Sequence, residues 1–160
     1  MEKVLIREAK ITESELVADI YQDEGSLKEA KGFRKTAKKE FKEIKEGKRT
    51  AFFAEFDNKP VGTVQLVFNC NHKDHANGKT IAEIHHLKVH KNYLRQGIGS
   101  ALVNAVERLA KARGFRKLTT GVDENNLLGQ IFWGNLSYKL LKVEPGRTKK
   151  LKLFTLYKNL

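Results

Sequence analysis

The chain has 160 residues, 40% of them apolar, and 31 Lys and Arg against 19 Asp and Glu give it a net charge of +12. That balance fits one globular domain and excludes a disordered chain, and a single cysteine, Cys70, excludes an internal disulfide. No apolar run approaches the roughly 20 residues that span a bilayer, and Met1-Glu2-Lys3-Val4-Leu5-Ile6-Arg7 meets an arginine too soon for a signal peptide, so a cytoplasmic protein with no membrane partner is expected.

Lys3–Glu8 reads as a short strand. Thr12 is placed to cap a first helix, with Glu15 three residues later as its reciprocal partner. A second helix is predicted from about Ser26 to Glu46, where Leu27, Ala30, Phe33, Ala37, Phe41 and Ile44 recur every three or four residues and lysines fill the rest. Thr50–Phe56 and Val61–Phe68 form a hairpin around Asp57-Asn58-Lys59-Pro60, with Gly62 marking a bulge. A long polar loop, Asn69–Thr80, leads to a strand over Ile81–Val89. Gly97 opens a helix that runs to about Arg113 and stops at Gly114. A strand over Lys117–Val122 follows, then a helix capped by Asn125 or Asn126 and running to about Asn135. Ser137–Val143 and Lys150–Tyr157 close the chain around a turn at Glu144-Pro145-Gly146. Hairpins and helical crossovers alternate in one chain. The expectation is a single α/β domain over residues 1–160, with a mixed, mostly antiparallel central sheet flanked by helices on both faces.

The unit from Ile81 to Arg113 carries the clearest chemistry. Gly97 and Gly99 free the backbone for close approach, and the amides of Gln96, Gly97, Ile98, Gly99 and Ser100 converge at a helix N-terminus, which suits a phosphate. Arg95 and Lys91 add positive charge beside it. On the preceding strand Glu83 and His85 share one face by alternation, and His86 is expected on the other. Cys70, His72, Asp74 and His75 show C-x-H and H-x-x-H spacings without a second ligand pair, so no metal site is expected and the segment reads as a flexible loop.

The run Ala82-Glu83-Ile84-His85-His86-Leu87-Lys88-Val89, continued by His90-Lys91-Asn92-Tyr93-Leu94-Arg95-Gln96-Gly97-Ile98-Gly99-Ser100, resembles the acetyl-CoA signature of the GNAT superfamily of N-acetyltransferases. The segment Asn126–Tyr138 is similar to that family's second pattern, N-x-x-A-x-x-[FL]-Y-x-x-L-G-F. The resemblance implies acetyl-coenzyme A as cofactor. The backbone of Leu87 and Val89 would meet its pantetheine arm, the Gln96–Ser100 amides its pyrophosphate, and Asn126 its thiol end, Asn126 serving equally as a plain helix cap. It implies an acceptor amine, small molecule or peptide, and a base on the strand: Glu83, 14 positions before Gly97, first, and His85 second. Three positions depart from the pattern. Leu94 stands where a Gln or Arg is usual, and Ser137 where a glycine is. Trp133 stands where the family often has a tyrosine as general acid, which leaves Tyr138 or Tyr93 as off-pattern substitutes.

Two other functions fit the same residues. Trp133 suits a non-catalytic acyl-CoA-binding or regulatory domain. The +12 charge suits an RNA-directed acetyltransferase, although the lysine-rich helix shows no aromatic platform for bases and reads as a solvated face. The two closing strands offer an edge to a second copy, so monomer and homodimer both fit.

Overall fold

The computed structural model describes residues 3–21, 27–148 and 150–160, with the backbone alone at 27–30. The elements are β1 (Leu5–Glu8), α1 (Ser14–Tyr21), α2 (Leu27–Lys45), β2 (Arg49–Phe56), β3 (Lys59–Val67), β4 (Ile81–Val89), α3 (Ile98–Ala112), β5 (Lys117–Asp123), α4 (Leu127–Asn135), β6 (Lys139–Pro145) and β7 (Lys152–Asn159). Their order is the one read from the sequence. A short 3₁₀ turn at Lys91–Tyr93, which the sequence reading omitted, leads into α3.

The strands form one sheet in the order β1-β2-β3-β4-β5-β7-β6. Only β4 and β5 run parallel, and every other pair is antiparallel. The β2–β3 hairpin turns on Asp57 (φ 49°) and Asn58 (φ 59°), a positive-φ pair whose twist matches the flanking strands. The register slips between Ala54 and Glu55, opposite Gly62 and Pro60, beside the glycine that marked a bulge.

Alternation divides the sheet into two unlike faces. Phe52 and Ala54 join Val64, Leu66, Ala82 and Ile84 beneath α3, where Leu102, Val103 and Val106 complete the main core. Phe132 and Trp133 of α4 pack into the same cluster. Ala51 and Phe53 point the other way, to Val17 and Ile20 of α1 and to Ala37 and Phe41 of α2. Helices therefore cover both faces.

Several boundaries move for local reasons. α1 begins at Ser14. Glu13, not Glu15, reaches back, accepting from the Lys10 amide at 2.7 Å and from Arg7 Nη1 and Nη2 at 2.9 and 2.7 Å, so Thr12 stays in the turn ahead of the helix. The hydrogen bond from Arg7 holds the Glu13 carboxyl down at about 2. Ser26, the expected start of α2, lies outside the described residues. Ser137 takes φ 70°, the left-handed conformation for which the family pattern has glycine, and β6 starts two residues beyond it. Glu144 and Pro145 belong to β6 and not to the turn, which begins at Gly146.

Candidate active site

β4 and β5 pair over only three rungs, Ile81↔Lys117, Ala82↔Leu118 and Glu83↔Thr119. Beyond them β4 continues to Val89 and β5 to Asp123 without pairing, so the sheet opens into a cleft whose two walls are strand edges. The Thr120 hydroxyl donates to Ile84 O at 3.2 Å, at the vertex. Leu87 and Val89 lie on the open part of β4, with side chains packed toward the α3 core and backbone left at the cleft.

The cleft leads to the N-terminus of α3. Gly97 is the N-cap with φ 80°, and no side chain caps the helix there. A Cβ on Gly97 would meet nothing within 4 Å, so its role is the left-handed turn and an open face. Gly99 differs: its Cβ would lie 3.3 Å from the Phe132 ring, so this glycine lets α4 close against α3. The amides of Ile98, Gly99 and Ser100 meet no backbone acceptor among the described residues. Arg95 (φ 63°), Gln96 and Gly97 are exposed around them. Together these groups fit a pyrophosphate, with free N–H donors, the positive helix end and a nearby guanidinium. Asn126 is the N-cap of α4, its Oδ1 accepting from Gly129 N at 2.9 Å. A Cβ at Gly129 would stand 2.6 Å from Asn126 Nδ2, which explains glycine at that position.

On the opposite face of the sheet from α3, Glu83 stands on the last rung before the strands part. Its Oε2 meets His85 Nε2 at 2.9 Å and its Oε1 meets His75 Nδ1 at 3.1 Å. Glu83 is nearly closed from solvent, with its side chain 12% exposed, whereas the His85 side chain is 33% exposed. The pair with Glu83 uses His85 Nε2, which leaves Nδ1 on the other edge of the ring. Burial pushes the Glu83 carboxyl up, but the hydrogen bond and charge of His85, aided by His75, outweigh it and hold the group below the usual carboxylate range.

His86 departs from the alternation expected of it. A bulge falls opposite Val64, and His86 takes φ 53°. The extra residue turns its ring to the α2 side, with Nε2 2.8 Å from Glu40 Oε1 and its centroid 5.5 Å from that of His85. Glu40 also accepts from Gln65 Nε2 at 2.5 Å and pairs with Arg49 at 3.7 Å. Glu40 was missed in the sequence because lysines surround it. Its position between Ala37, Phe41 and Ile44 nevertheless puts it on the buried stripe of α2.

Hydrogen bonds tie the 69–80 loop together. Asn69 bridges Asn77, and Asn77 Oδ1 accepts from the amides of Lys79, Thr80 and Ile81 at 3.0, 2.8 and 3.0 Å. Asp74, His75 and Glu144 bring ligand atoms within 4.8 Å of one another. Lys142 Nζ already bridges Asp74 and Glu144, and both His75 nitrogens face carboxylates, so these groups are partnered among themselves.

Tyr138 does not join this constellation. It belongs to the α3-side core, and its hydroxyl donates to Glu107 Oε1 at 2.9 Å, on the other face of the sheet from Glu83 and His85. Burial first, then the charge and hydrogen bond of Glu107, push its proton affinity far above the ordinary phenol value. Tyr93 packs against Phe56 and His90. Trp133 is buried between Phe132 and Tyr138.

A cleft between parting parallel strands, opening onto an uncapped glycine-led helix, is an architecture for holding a phosphate-bearing cofactor at a sheet vertex. The model of the acetyltransferase (GNAT) family matches residues 15–134, and the chain belongs to that family. Acetyl-CoA is the family's acyl donor. The chain is 32% identical over 101 residues to an uncharacterized N-acetyltransferase, MJ1207, of Methanocaldococcus jannaschii; the match spans 63% of this chain and 44% of that protein's length. A GNAT-family protein from Desulfovibrio desulfuricans superposes with a TM-score of 0.81 at 13% identity, covering 98% of this chain and 99% of its own. The PaiA N-acetyltransferase of Thermoplasma acidophilum, solved in complex with coenzyme A, gives 0.74 at 18% identity, with 99% of each chain covered. No helix among the described residues is long and apolar enough to cross a membrane.

Proposed function

We propose that this chain transfers an acetyl group from acetyl-CoA to a primary amine, with His85 taking the amine proton and Glu83 holding His85. The observation that carries the reading is the Glu83–His85 pair standing on the rung where β4 and β5 separate. When bound, acetyl-CoA supplies the acyl group as an activated thioester. The amides at Ile98–Ser100 and the Arg95 guanidinium would hold its pyrophosphate, and the open backbone of Leu87 and Val89 its arm. Asn126 already spends its Oδ1 on the helix cap, so only its Nδ2 is free for a ligand.

A strand-borne base fits the chemistry, because an ammonium must lose a proton before its nitrogen becomes a nucleophile. Buried Glu83 fixes the His85 ring through Nε2 and leaves Nδ1, on the more exposed residue, to accept that proton. The carboxylate then faces the imidazolium that forms. Trp133 offers no acidic proton and Tyr138 is committed to Glu107, so this chain contributes no general acid at those positions and solvent fills that role.

Calorimetric titration with acetyl-CoA, beside a Gly97→Glu variant, tests the reading. Saturable binding by the native protein and its loss in the variant are expected, since the glutamate would project a carboxylate where the pyrophosphate belongs. Absence of binding at millimolar acetyl-CoA removes the cofactor site and the activity with it. The buried Trp133 favours one second reading, an acyl-CoA-binding domain without turnover. Saturable binding with no thiol release across an amine panel selects that reading.

A further inference from the structure

His75 lies on the 69–80 loop, outside both family patterns, yet its side chain is only 12% exposed, between the carboxylates of the polar face. The loop is fixed from behind: the Thr119 hydroxyl donates to His75 O at 2.7 Å, and Ala76 N donates to His72 O at 3.1 Å. From that anchor the ring presents Nδ1 to Glu83 Oε1 at 3.1 Å and Nε2 to Glu144 Oε2 at 2.9 Å. Ionised carboxylates only accept hydrogen bonds, and a neutral imidazole donates from one nitrogen alone. Both contacts are made together only by a doubly protonated ring. Glu144 is held in turn by the Thr155 hydroxyl and by Lys142 Nζ, which also pairs with Asp74. His72, its ring centroid 5.6 Å away, is the remaining titratable neighbour from the loop.

The groups thus form a row, Glu144–His75–Glu83–His85, that ends at Nδ1 of His85. We propose that His75 is a positioning residue, an imidazolium clamped between two carboxylates that keeps Glu83 ionised and turned toward His85. The catalytic part of this proposal rests on the role given to His85 above. Without His75, Glu83 keeps its burial but loses a donor and a positive charge, so its proton affinity rises. A protonated Glu83 would no longer hold His85 through charge. His75 acts through Glu83 and touches neither substrate.

The test uses the intact chain without cofactor. Glu83 carboxyl ¹³C and histidine ring ¹⁵N signals are followed against pH in the native protein, His75→Gln and Glu144→Gln. In the native protein both His75 nitrogens carry protons at pH 7. In His75→Gln, Glu83 titrates at a higher pH than in the native protein, and in Glu144→Gln one His75 nitrogen is bare at pH 7. The acid limb of kcat/KM shifts upward with it in His75→Gln, while the KM for acetyl-CoA at neutral pH is unchanged. His75→Lys, which keeps a donor and a charge, reverses part of that shift. A bare His75 nitrogen at pH 7 in the native protein overturns the proposal, as does an unmoved Glu83 titration in folded His75→Gln. If His75→Gln does not fold, Glu144→Gln decides the matter alone. The expected titrations in a protein that acetylates no amine overturn the functional reading and leave the clamped charge in place.

Discussion

The two faces of one sheet differ in what they bury. Under α3 and α4 the strands present Ala54, Val64, Leu66, Ala82 and Ile84 to an apolar cluster. On the other side the same strands, one residue out of step, present Gln65, Glu83, His85 and His86 to Glu40, His75 and Glu144. Apolar burial stabilises without regard to direction, at about 25 cal/mol per Å². Buried carboxylates cost desolvation and must be fully partnered. A protein that spends stability on one face, while the other would hold the sheet together, fits the chemistry proposed for that face. Even the bulge at His86 serves that face, since it adds a second imidazole to the same side.

Leu102→Ala would strike the apolar face hardest. Leu102 is fully buried and stands against Gly62, so stability should fall by about 3–4 kcal/mol in a denaturant melt, with kcat of the folded fraction nearly unchanged. A large loss of kcat in the folded fraction would break the division between the faces. His85→Gln should do the reverse, costing under about 1 kcal/mol of stability and lowering kcat roughly a hundredfold, with acetyl-CoA affinity retained. A melt that falls as far as that of Leu102→Ala would make His85 structural.

Acid should unfold the protein through the polar face. Glu83, Glu40 and Glu144 are each pushed up by burial and pulled down further by their partners, leaving all three below the ordinary value of 4.5. Groups depressed on folding contribute stability that is complete above the unfolded value and is lost as pH falls through the folded one. Chemical melts should therefore be flat from pH 7 to about 5 and decline below about 4.5, and Glu40→Gln should make that decline shallower. An unchanged decline in that variant would leave the acid sensitivity to Glu83, Glu144 and the Arg7–Glu13 pair. The smallest effect belongs to the surface: Leu128 is 77% exposed, and Leu128→Ser should stay within about 0.5 kcal/mol.

Much of the candidate site was legible along the chain. Glu83 and His85 two apart on a strand, and Gly97 and Gly99 ahead of an amphipathic stripe, are local patterns, and the structure keeps each on its expected element. The Glu40 network was partly legible, because position 40 falls on the stripe of Ala37, Phe41 and Ile44, where a carboxylate needs partners. His75 and Glu144 were not. They lie 69 positions apart and meet only because the loop folds across β5 and β7 to reach β6. Tyr138 does lie beside Trp133, 4.9 Å between ring centroids, and only the fold shows that its hydroxyl is taken by Glu107.

By itself the sequence determined what depends on neighbours within a few residues: strand and helix periods, a turn beginning at Asp57-Asn58, a glycine-led helix start at Gly97, and a cap at Asn125 or Asn126. Backbone sterics and side-chain period act over that range, so they can be read in one dimension. The tertiary structure decided where β4 and β5 part, that His86 bulges toward Glu40, and that Glu144 and Glu83 share one imidazole. Each of these depends on strands far apart in the chain coming into register, and a charge finds its partner only once the register is set.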